Sequence, residues 1–317
     1  RRTRATFTFV IYTMAGSLLM LAAIVVFGLR QGTFDLLDSG TSDSLLAADG
    51  SWAVGSFLDS ARKTLVLRRV GSSWAVFPSP NPSSTENELQ GVVQVSSGNA
   101  WAVGYYNDGT TYRTLVLHWN GQKWRRVASP NAGDPSTPNL LFAVDARSAK
   151  DIWAVGLFGN VSQTLVLHWN GKKWSRVSSP HPGDDPFGDA LLGVSAVSAD
   201  DAWAVGNYAA GNTNEPLLLH WNGKKWRRMT TPNPANNAVL DAVHALSQRN
   251  VWAVGAAGDT FVIHWNGRKW RRVNVQSPSA NDNVLYAIGA SSPGNIWAVG
   301  SYRDPDFVYE PLALHCC

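Results

Sequence analysis

Cysteine is nearly absent from this sequence. Only two of its 317 residues are cysteines, and both stand at the C-terminal end, as Cys316 and Cys317. A disulfide framework needs cysteines along the chain, so crosslinks do not hold this fold together. For the terminal pair a strained bridge, a metal site and a lipid site are all open, but a sixth repeat that is cut short is the simplest interpretation.

Catalytic sequence motifs are missing as well. The chain contains no nucleophile elbow, phosphate-binding loop, His-x-x-x-His pair or cysteine cluster. No catalytic residue, metal ligand or cofactor is therefore predicted. The absence of these motifs favours a protein that is not an enzyme, without settling the matter. Oxygen atoms of Asn107 with Asp108, or of Asp184, Asp185 and Asp189, could bind Ca²⁺, but their spacing alone does not support a site.

Charge of one sign is not in large excess. The chain has 27 Lys and Arg against 23 Asp and Glu, a formal net charge of +4. A balance this small does not indicate a nucleic-acid-binding protein, so no nucleic acid partner is expected.

One long hydrophobic run is the exception to an otherwise moderate hydropathy. Residues 5–29 carry no charge, and at about 1.5 Å per residue they can cross about 30 Å of hydrocarbon as a helix. Arg1, Arg2 and Arg4 precede the run, which favours an N-terminus inside the cell. We expect a single-pass anchor at residues 1–30 in the cytoplasmic membrane, a linker at 31–44 and the rest outside. A cleaved signal peptide is the competing interpretation, although its apolar region is usually shorter.

The rest of the chain is a repeat. The tetrapeptide Trp-Ala-Val-Gly starts at Trp52, Trp101, Trp153, Trp203, Trp252 and Trp297. A period near fifty residues indicates stacked supersecondary units. Repeats two to five each have four short apolar runs, and an Asn-Gly dipeptide, typical of a type I′ hairpin, separates the last two.

This pattern predicts an all-β fold, a β-propeller of about six four-stranded blades over residues 45–317. The sixth repeat lacks its fourth strand, and residues 33–37 or 44–48 could supply that edge. A longer parent with seven or more blades is the alternative.

Strand parity divides the loops between the two faces of the disc. The second-to-third connections and the linkers between blades share one face, which we call the loop face, and they vary most along the chain. Variable loops on a rigid scaffold usually carry recognition. The ligand-binding candidates are the aromatic residues expected there: Tyr105, Tyr106, Tyr112, Phe158, Tyr208 and Tyr302. The alternative is that several continue the second strand and pack inside.

Repeated histidines, tryptophans and cations complete the pattern. The histidines of the third strands in repeats two to six are expected to be structural, because the blades hold these side chains too far apart to share one metal ion. They are His118, His168, His220, His264 and His315. The tryptophans are interpreted as core. The fourth strands form a basic rim: Arg125, Arg126, Lys172, Lys173, Arg176, Arg227, Arg228, Arg271 and Arg272. This rim either protects exposed strand edges or attracts an anionic polymer or lipid headgroups.

The repeat resembles kelch-like and tectonin-like propeller repeats over residues 45–315. An aromatic pair flanks the last hairpin, as in Trp169-Asn-Gly-x-x-Trp174, but the Gly-Gly doublet typical of kelch repeats is missing. The resemblance implies a module that binds proteins or glycans.

The leading hypothesis is therefore a membrane-anchored, extracytoplasmic propeller that binds a glycan or protein ligand through its loop face. A glycan hydrolase or lyase of the propeller type and a structural subunit of a surface assembly are the alternatives.

Overall fold

The computed structural model describes residues 44–183, 188–232, 237–280 and 282–316. Their regular elements are β-strands arranged in six antiparallel sheets. Blade 1 contains β1 (Ser44–Asp49), β2 (Trp52–Asp59), β3 (Ala61–Val70) and β4 (Ser73–Val76). Blade 2 contains β5 (Asn87–Ser96), β6 (Asn99–Asn107), β7 (Tyr112–Trp119) and β8 (Trp124–Arg126). Blade 3 contains β9 (Asn139–Ser148), β10 (Asp151–Phe158), β11 (Gln163–Trp169) and β12 (Trp174–Arg176).

The second half of the molecule repeats this pattern. Blade 4 contains β13 (Asp189–Ser198), β14 (Asp201–Ala210), β15 (Thr213–Trp221) and β16 (Trp226–Arg228). Blade 5 contains β17 (Val239–Ser247), β18 (Asn250–Ala256), β19 (Thr260–Trp265) and β20 (Trp270–Arg272). Blade 6 has three strands, β21 (Asn283–Ser292), β22 (Asn295–Arg303) and β23 (Tyr309–Cys316).

Every sheet is a meander whose strand order follows the chain. The first strands pack against one another from blade to blade, β1 on β5 and so on to β21, so they are innermost and the fourth strands are outermost. The predicted all-β, six-bladed propeller is thereby confirmed. Among the described strands, β21 and β1 do not show packing of this extent.

The two ends of the chain depart in part from the sequence predictions. Residues 44–48 belong to β1, the innermost strand of blade 1, and pair with β2. They therefore do not complete blade 6, and that prediction is wrong. Residues 33–37, the anchor at 1–30 and most of the linker lie outside the described residues. Cys316 is disulfide-bonded, whereas Cys317 is not described. The part of the chain that is described contains no helix long and apolar enough to cross a membrane.

Alternation along the second strand explains the first three letters of Trp-Ala-Val-Gly. Trp101 and Val103 of blade 2 are buried in one cluster with Leu141 of blade 3, whereas Ala102 is buried with Trp52 of blade 1. Successive residues of a strand point to opposite faces of the sheet. Blades 2 to 5 therefore each present the motif tryptophan to the next blade and the motif alanine to the previous one.

The glycine of the motif follows from a β-bulge in the innermost strand. In blade 3 the register between β9 and β10 shifts at Val155 and Gly156. The shift brings the Leu140 carbonyl so close that a Cβ on Gly156 would lie 2.0 Å from its oxygen. Gly104 and Gly206 have the same 2.0 Å approach in their own blades. Only glycine fits a backbone approach of this kind.

The Asn-Gly turns differ from the predicted type I′ hairpin, which needs positive φ at both residues. In the Asn-Gly turn of blade 2, Gly121 has a positive φ of +90°, whereas Asn120 does not have a positive φ. The Asn120 side chain accepts hydrogen bonds from the backbone N–H of Gln122 and of Lys123, at 3.1 and 3.0 Å. The loop is thus a four-residue turn closed by an asparagine side chain, and the flanking Trp119 and Trp124 pair across it.

The repeated histidine makes the same contacts in blades 2 to 5. In blade 3 the His168 ring lies 4.2 Å from the Trp153 ring, and its Nε2 lies 2.7 Å from Oδ1 of Asp151. Trp153 in turn contacts Trp221 and Trp226 of blade 4, with ring centroids 5.1 and 5.2 Å away. The histidine thus holds the tryptophan that joins two blades, which is the structural role expected of it.

Candidate ligand-binding surface

The six aromatic candidates lie in strands, not in loops. Tyr105 and Tyr106 lie near the end of β6, and Tyr112 begins β7. The other three lie at or near the ends of second strands: Phe158 in β10, Tyr208 in β14 and Tyr302 in β22. These strands run on past Trp-Ala-Val-Gly towards the loop face. The five tyrosines are half-buried, whereas Phe158 is buried, with 6% of its surface exposed.

Three of these aromatics are paired with arginines of the basic rim. The guanidinium of Arg126 lies 4.5 Å from the Tyr106 ring centre and donates a hydrogen bond to its hydroxyl. Arg228 stands over Tyr208 at 4.2 Å in the same way. Arg176, on the fourth strand of blade 3, lies 4.3 Å from the ring centre of Phe158. An arginine therefore covers each ring, so these rings are not bare platforms for a ligand.

A cleft opens beside one of these pairs. It has a volume of about 390 Å³ and is lined by Tyr208, Glu215, Pro216, Arg228 and Thr231, among others. Arg228 comes from the outermost strand and Tyr208 from the second, so the cleft lies at the outer part of the loop face of blade 4.

Tyr105 and Tyr112 belong to a different group, which reaches the innermost strand of blade 2 at Glu88. We call Arg62, Glu86, Glu88, Tyr105 and Tyr112 the mouth cluster. The Tyr112 hydroxyl donates to Oε2 of Glu86 at 2.8 Å, and the two tyrosine rings meet edge to face at 5.3 Å. Arg62 of blade 1 approaches Glu88 of blade 2, with Nε 3.7 Å from Oε2. The cluster therefore joins two blades on the loop face.

The electrostatics of the mouth cluster keep its tyrosines protonated. Burial raises the pKa of Glu88, and Arg62 only partly opposes that effect. Burial and the neighbouring Glu88 raise the pKa of Tyr105, and the hydrogen bond to Glu86 raises the pKa of Tyr112. The tyrosines and Arg62 can donate hydrogen bonds, while the two glutamates can accept them. This mixture suits a ligand with several hydroxyl groups.

Blade 2 alone has this chemistry at these positions. The strand register pairs Glu88 with Tyr105 across β5 and β6. The same place holds Leu140 paired with Leu157 in blade 3. Blades 1, 4, 5 and 6 have the following pairs there: Ser44 with Ser56, Ala190 with Asn207, Val239 with Ala256, and Val284 with Ser301. No other blade places a carboxylate beside a tyrosine at this point.

Sequence reasoning identified the two tyrosines of the mouth cluster but missed Arg62, Glu86 and Glu88. The signal that could have found them is that blade 2 departs from the other repeats at one aligned position. An alignment of the six repeats with one another shows this difference. Tyr302 is also half-buried, but it lies in β22 of blade 6, whereas the mouth cluster belongs to blades 1 and 2.

The oxygen groups considered for Ca²⁺ have other uses where they are described. Asp108 accepts hydrogen bonds from the backbone of Thr110 and Thr111 and pairs with Arg113 at 2.6 Å, which lowers its pKa to about 2. Asp189 is 1% exposed and accepts a bond from the Gly183 N–H. Asp184 and Asp185 lie outside the described residues. Within the described ranges no group of three or more His, Cys, Asp and Glu could hold a metal ion.

A second set of polar groups lies on the innermost strands and ties blades together. Oδ2 of Asp145 accepts a hydrogen bond of 2.7 Å from the Ala196 N–H of blade 4. Oδ2 of Asp49 does the same for the Gln94 N–H of blade 2, also at 2.7 Å. Burial raises the pKa of Asp145 to about 6. These bonds give the axial carboxylates a structural use.

Comparison with known proteins supports the fold. No family model matches the chain, and no curated protein matches it, so the kelch-like and tectonin-like resemblance remains a hypothesis. An ulvan lyase of a polysaccharide lyase family, bound to a GlcA(1-4)Rha3S saccharide, is similar with a TM-score of 0.56 and 10% identity. The alignment covers 90% of this chain and 81% of that one.

Two further solved structures are similar. The Aleuria aurantia fungal lectin, described as a six-bladed propeller with a novel fucose recognition mode, has a TM-score of 0.51 and 16% identity over 86% of this chain and 90% of its own. YCF48 bound to a D1 peptide has a TM-score of 0.49 and 15% identity over 86% of this chain and 81% of its own. At these identities the likeness to the lyase and the lectin bears on the propeller fold alone.

Proposed function

We propose that this protein is a saccharide-binding propeller and that the mouth cluster is its contact site. One observation carries the proposal: blade 2 places a carboxylate and a tyrosine where neighbouring blade 3 has two leucines. A half-buried carboxylate is costly to desolvate, and blade 3 shows that the fold does not need it. Residues that depart from the repeat at a cost in stability mark a functional site.

The chemistry of the cluster favours a hydroxyl-rich ligand over an anion. Arg62 is accompanied by two carboxylates, Glu86 and Glu88, so the site has no excess of positive charge. Sugar hydroxyls donate and accept at once and fit a surface that offers both kinds of partner. The edges of the two tyrosine rings add apolar contact at low entropic cost.

Polysaccharide elimination is not favoured at this site. A tyrosine that serves as general base needs a pKa near the working pH, whereas burial and Glu88 raise the pKa of Tyr105 above its ordinary value. Binding without turnover is the simpler role.

The proposed location is the outer side of the cytoplasmic membrane. The uncharged run of residues 5–29 and the arginines before it support a single-pass anchor with the N-terminus inside. A proteinase applied to intact cells should then reach the propeller, and protection of the propeller would contradict this location.

A glycan array with the full chain in mild detergent tests the binding proposal, followed by calorimetry on the best saccharide. Glu88→Leu with Tyr105→Leu, the blade 3 residues, should weaken binding at least tenfold. Ser301→Ala, at the Tyr105 position of blade 6, is the matched control and should bind as the wild type does. An array with no retained glycan, or full affinity in the double variant, would overturn the proposal.

A further inference from the structure

The outer edge of the disc carries cations that have few partners in the protein. The fourth strands of blades 2 to 5, and the turns that precede them, bear exposed lysines and arginines. Among the described residues of this basic rim, only Arg272 has a carboxylate within ion-pair distance, Asp259 at 2.6 Å. Cations left without counter-charges produce a positive potential that attracts anionic partners.

Edge protection does not account for this distribution. The fourth strand of blade 1, β4, is also outermost, but its residues Ser73–Val76 include no lysine or arginine. Val76 stands opposite Leu67 as Arg126 stands opposite Leu117, and it is 49% exposed. An outer edge without charge is thus tolerated in the same fold. The cations of blades 2 to 5 therefore have a further use.

Three of the rim arginines are held in place. Arg126, Arg176 and Arg228 occupy the same register position in consecutive blades, each opposite a buried leucine of the third strand. Each lies over the aromatic ring five residues after the motif tryptophan, at 4.5, 4.3 and 4.2 Å. A guanidinium fixed on a ring loses less freedom when it binds, and its planar donors match a carboxylate or a sulfate.

We propose that the basic rim of blades 2 to 5 binds an acidic polysaccharide, one that bears carboxylate or sulfate groups, independently of the mouth cluster. Blades in a ring of six turn by roughly 60° from one to the next, so the four charged edges face different directions. A flat membrane can touch one or two of them, whereas a flexible linear polymer can follow all four. Single-stranded nucleic acid usually needs bare aromatic rings for its bases, and arginines cover these rings.

Binding of polygalacturonate and of dextran sulfate to the immobilised full chain tests the proposal, with uncharged dextran as the blank. The triple variant Arg126→Gln, Arg176→Gln and Arg228→Gln should lose at least tenfold in affinity for one of the two polyanions. It should also show a shallower salt dependence, because fewer ion contacts are made.

The matched control removes three cations from the rest of the surface. Arg147→Gln, Lys150→Gln and Arg249→Gln change the net charge equally and should leave polyanion affinity within twofold. An equal loss of polyanion affinity in both triple variants would mean that the effect depends on net charge alone. That result would overturn the proposal. So would stronger binding to anionic vesicles or to single-stranded DNA that the rim variant abolishes.

The outcome is separable from that of the proposed function. Glu88→Leu with Tyr105→Leu should bind the polyanions as the wild type does, because Glu88 and Tyr105 lie on the innermost and second strands and the rim lies on the outermost. Loss of polyanion binding in that variant would contradict the proposal that the mouth cluster and the basic rim bind their ligands independently.

Discussion

Blades 2 and 3 stand side by side with the same strands and the same core, but they differ at the mouth. Trp101 and Trp153 each stack on a histidine at 4.2 Å and insert into the following blade. At the loop face, Glu88 and Tyr105 of blade 2 replace Leu140 and Leu157. The positions that the two blades share therefore form the propeller. The position at which their residues differ indicates what the propeller binds.

The largest expected effect tests the shared core. Trp101→Ala and Trp153→Ala should each lower the free energy of unfolding by about 3–5 kcal/mol, because each removes a fully buried indole. Trp297 of blade 6 is half-buried, so Trp297→Ala should cost roughly half as much. Urea denaturation followed by circular dichroism measures all three. Similar losses at all three positions would show that blade 6 is as tightly packed as the interior blades.

The next effect concerns the bulge that both blades share. Gly104→Ala and Gly156→Ala would each place a Cβ 2.0 Å from a backbone oxygen. We expect a loss of about 1–3 kcal/mol in each case, since backbone must move to admit the methyl group. Gly71→Ala is a poor guide because that glycine has positive φ; Gly98→Ala, whose Cβ would meet nothing closer than 3.9 Å, is the better control. Thermal unfolding that is unchanged in Gly156→Ala would refute the steric explanation.

The two blades also differ at one position of the innermost strand, and this difference predicts that stability depends on pH. Val93 of blade 2 corresponds to Asp145 of blade 3. The pKa of Asp145 is about 6 in the folded protein against an ordinary value of 3.8. Between these values Asp145 binds its proton in the folded state but not in the unfolded state, so the stability that this group contributes is greatest below pH 4 and falls as the pH rises through 6.

Asp145→Asn should remove roughly 1–2 kcal/mol of that fall, an amount that allows for the partial exposure of the residue. Denaturation midpoints at pH 4, 5, 6 and 7 for both proteins supply the measurement. Burial also raises the pKa of Asp241 to about 6, so stability should still fall with rising pH in the variant, but less steeply. Parallel pH profiles for wild type and variant would rule out Asp145 as the source.

The smallest expected effect has the opposite sign and bears on the mouth. Glu88→Leu, which copies blade 3, should raise stability by about 0.5–1 kcal/mol because a partly buried carboxylate disappears. The reverse change, Leu140→Glu in blade 3, is the paired test and should lower stability, since blade 3 supplies no tyrosine there. Equilibrium urea titration measures both, and a destabilised Glu88→Leu variant would mean that the carboxylate is structural.

Particular residues show how far sequence reasoning reached. The period of Trp-Ala-Val-Gly predicted six blades, because identical apolar alternation can bury its two faces only against copies of itself. The histidines were placed on the third strand with structural contacts, as observed. The Asn-Gly turn was given the wrong type, since an asparagine side chain could close the loop without a positive φ of its own.

The candidate site was only partly accessible to such reasoning. Tyr105 and Tyr112 attracted notice as aromatic residues near variable segments, although they lie in strands. Glu88 was not a candidate, because a single glutamate in an apolar run gives no local signal. Its meaning depends on Arg62, which belongs to the previous blade and is 26 positions earlier in the chain.

The repeat by itself determined the strands, their order and the burial of the tryptophans, because these depend on alternation along neighbouring segments of chain. Tertiary structure alone decided which polar side chains meet at the mouth and which arginines cover which rings. Contacts between blades join residues that no local pattern connects, and their distances are set by how one sheet packs on the next.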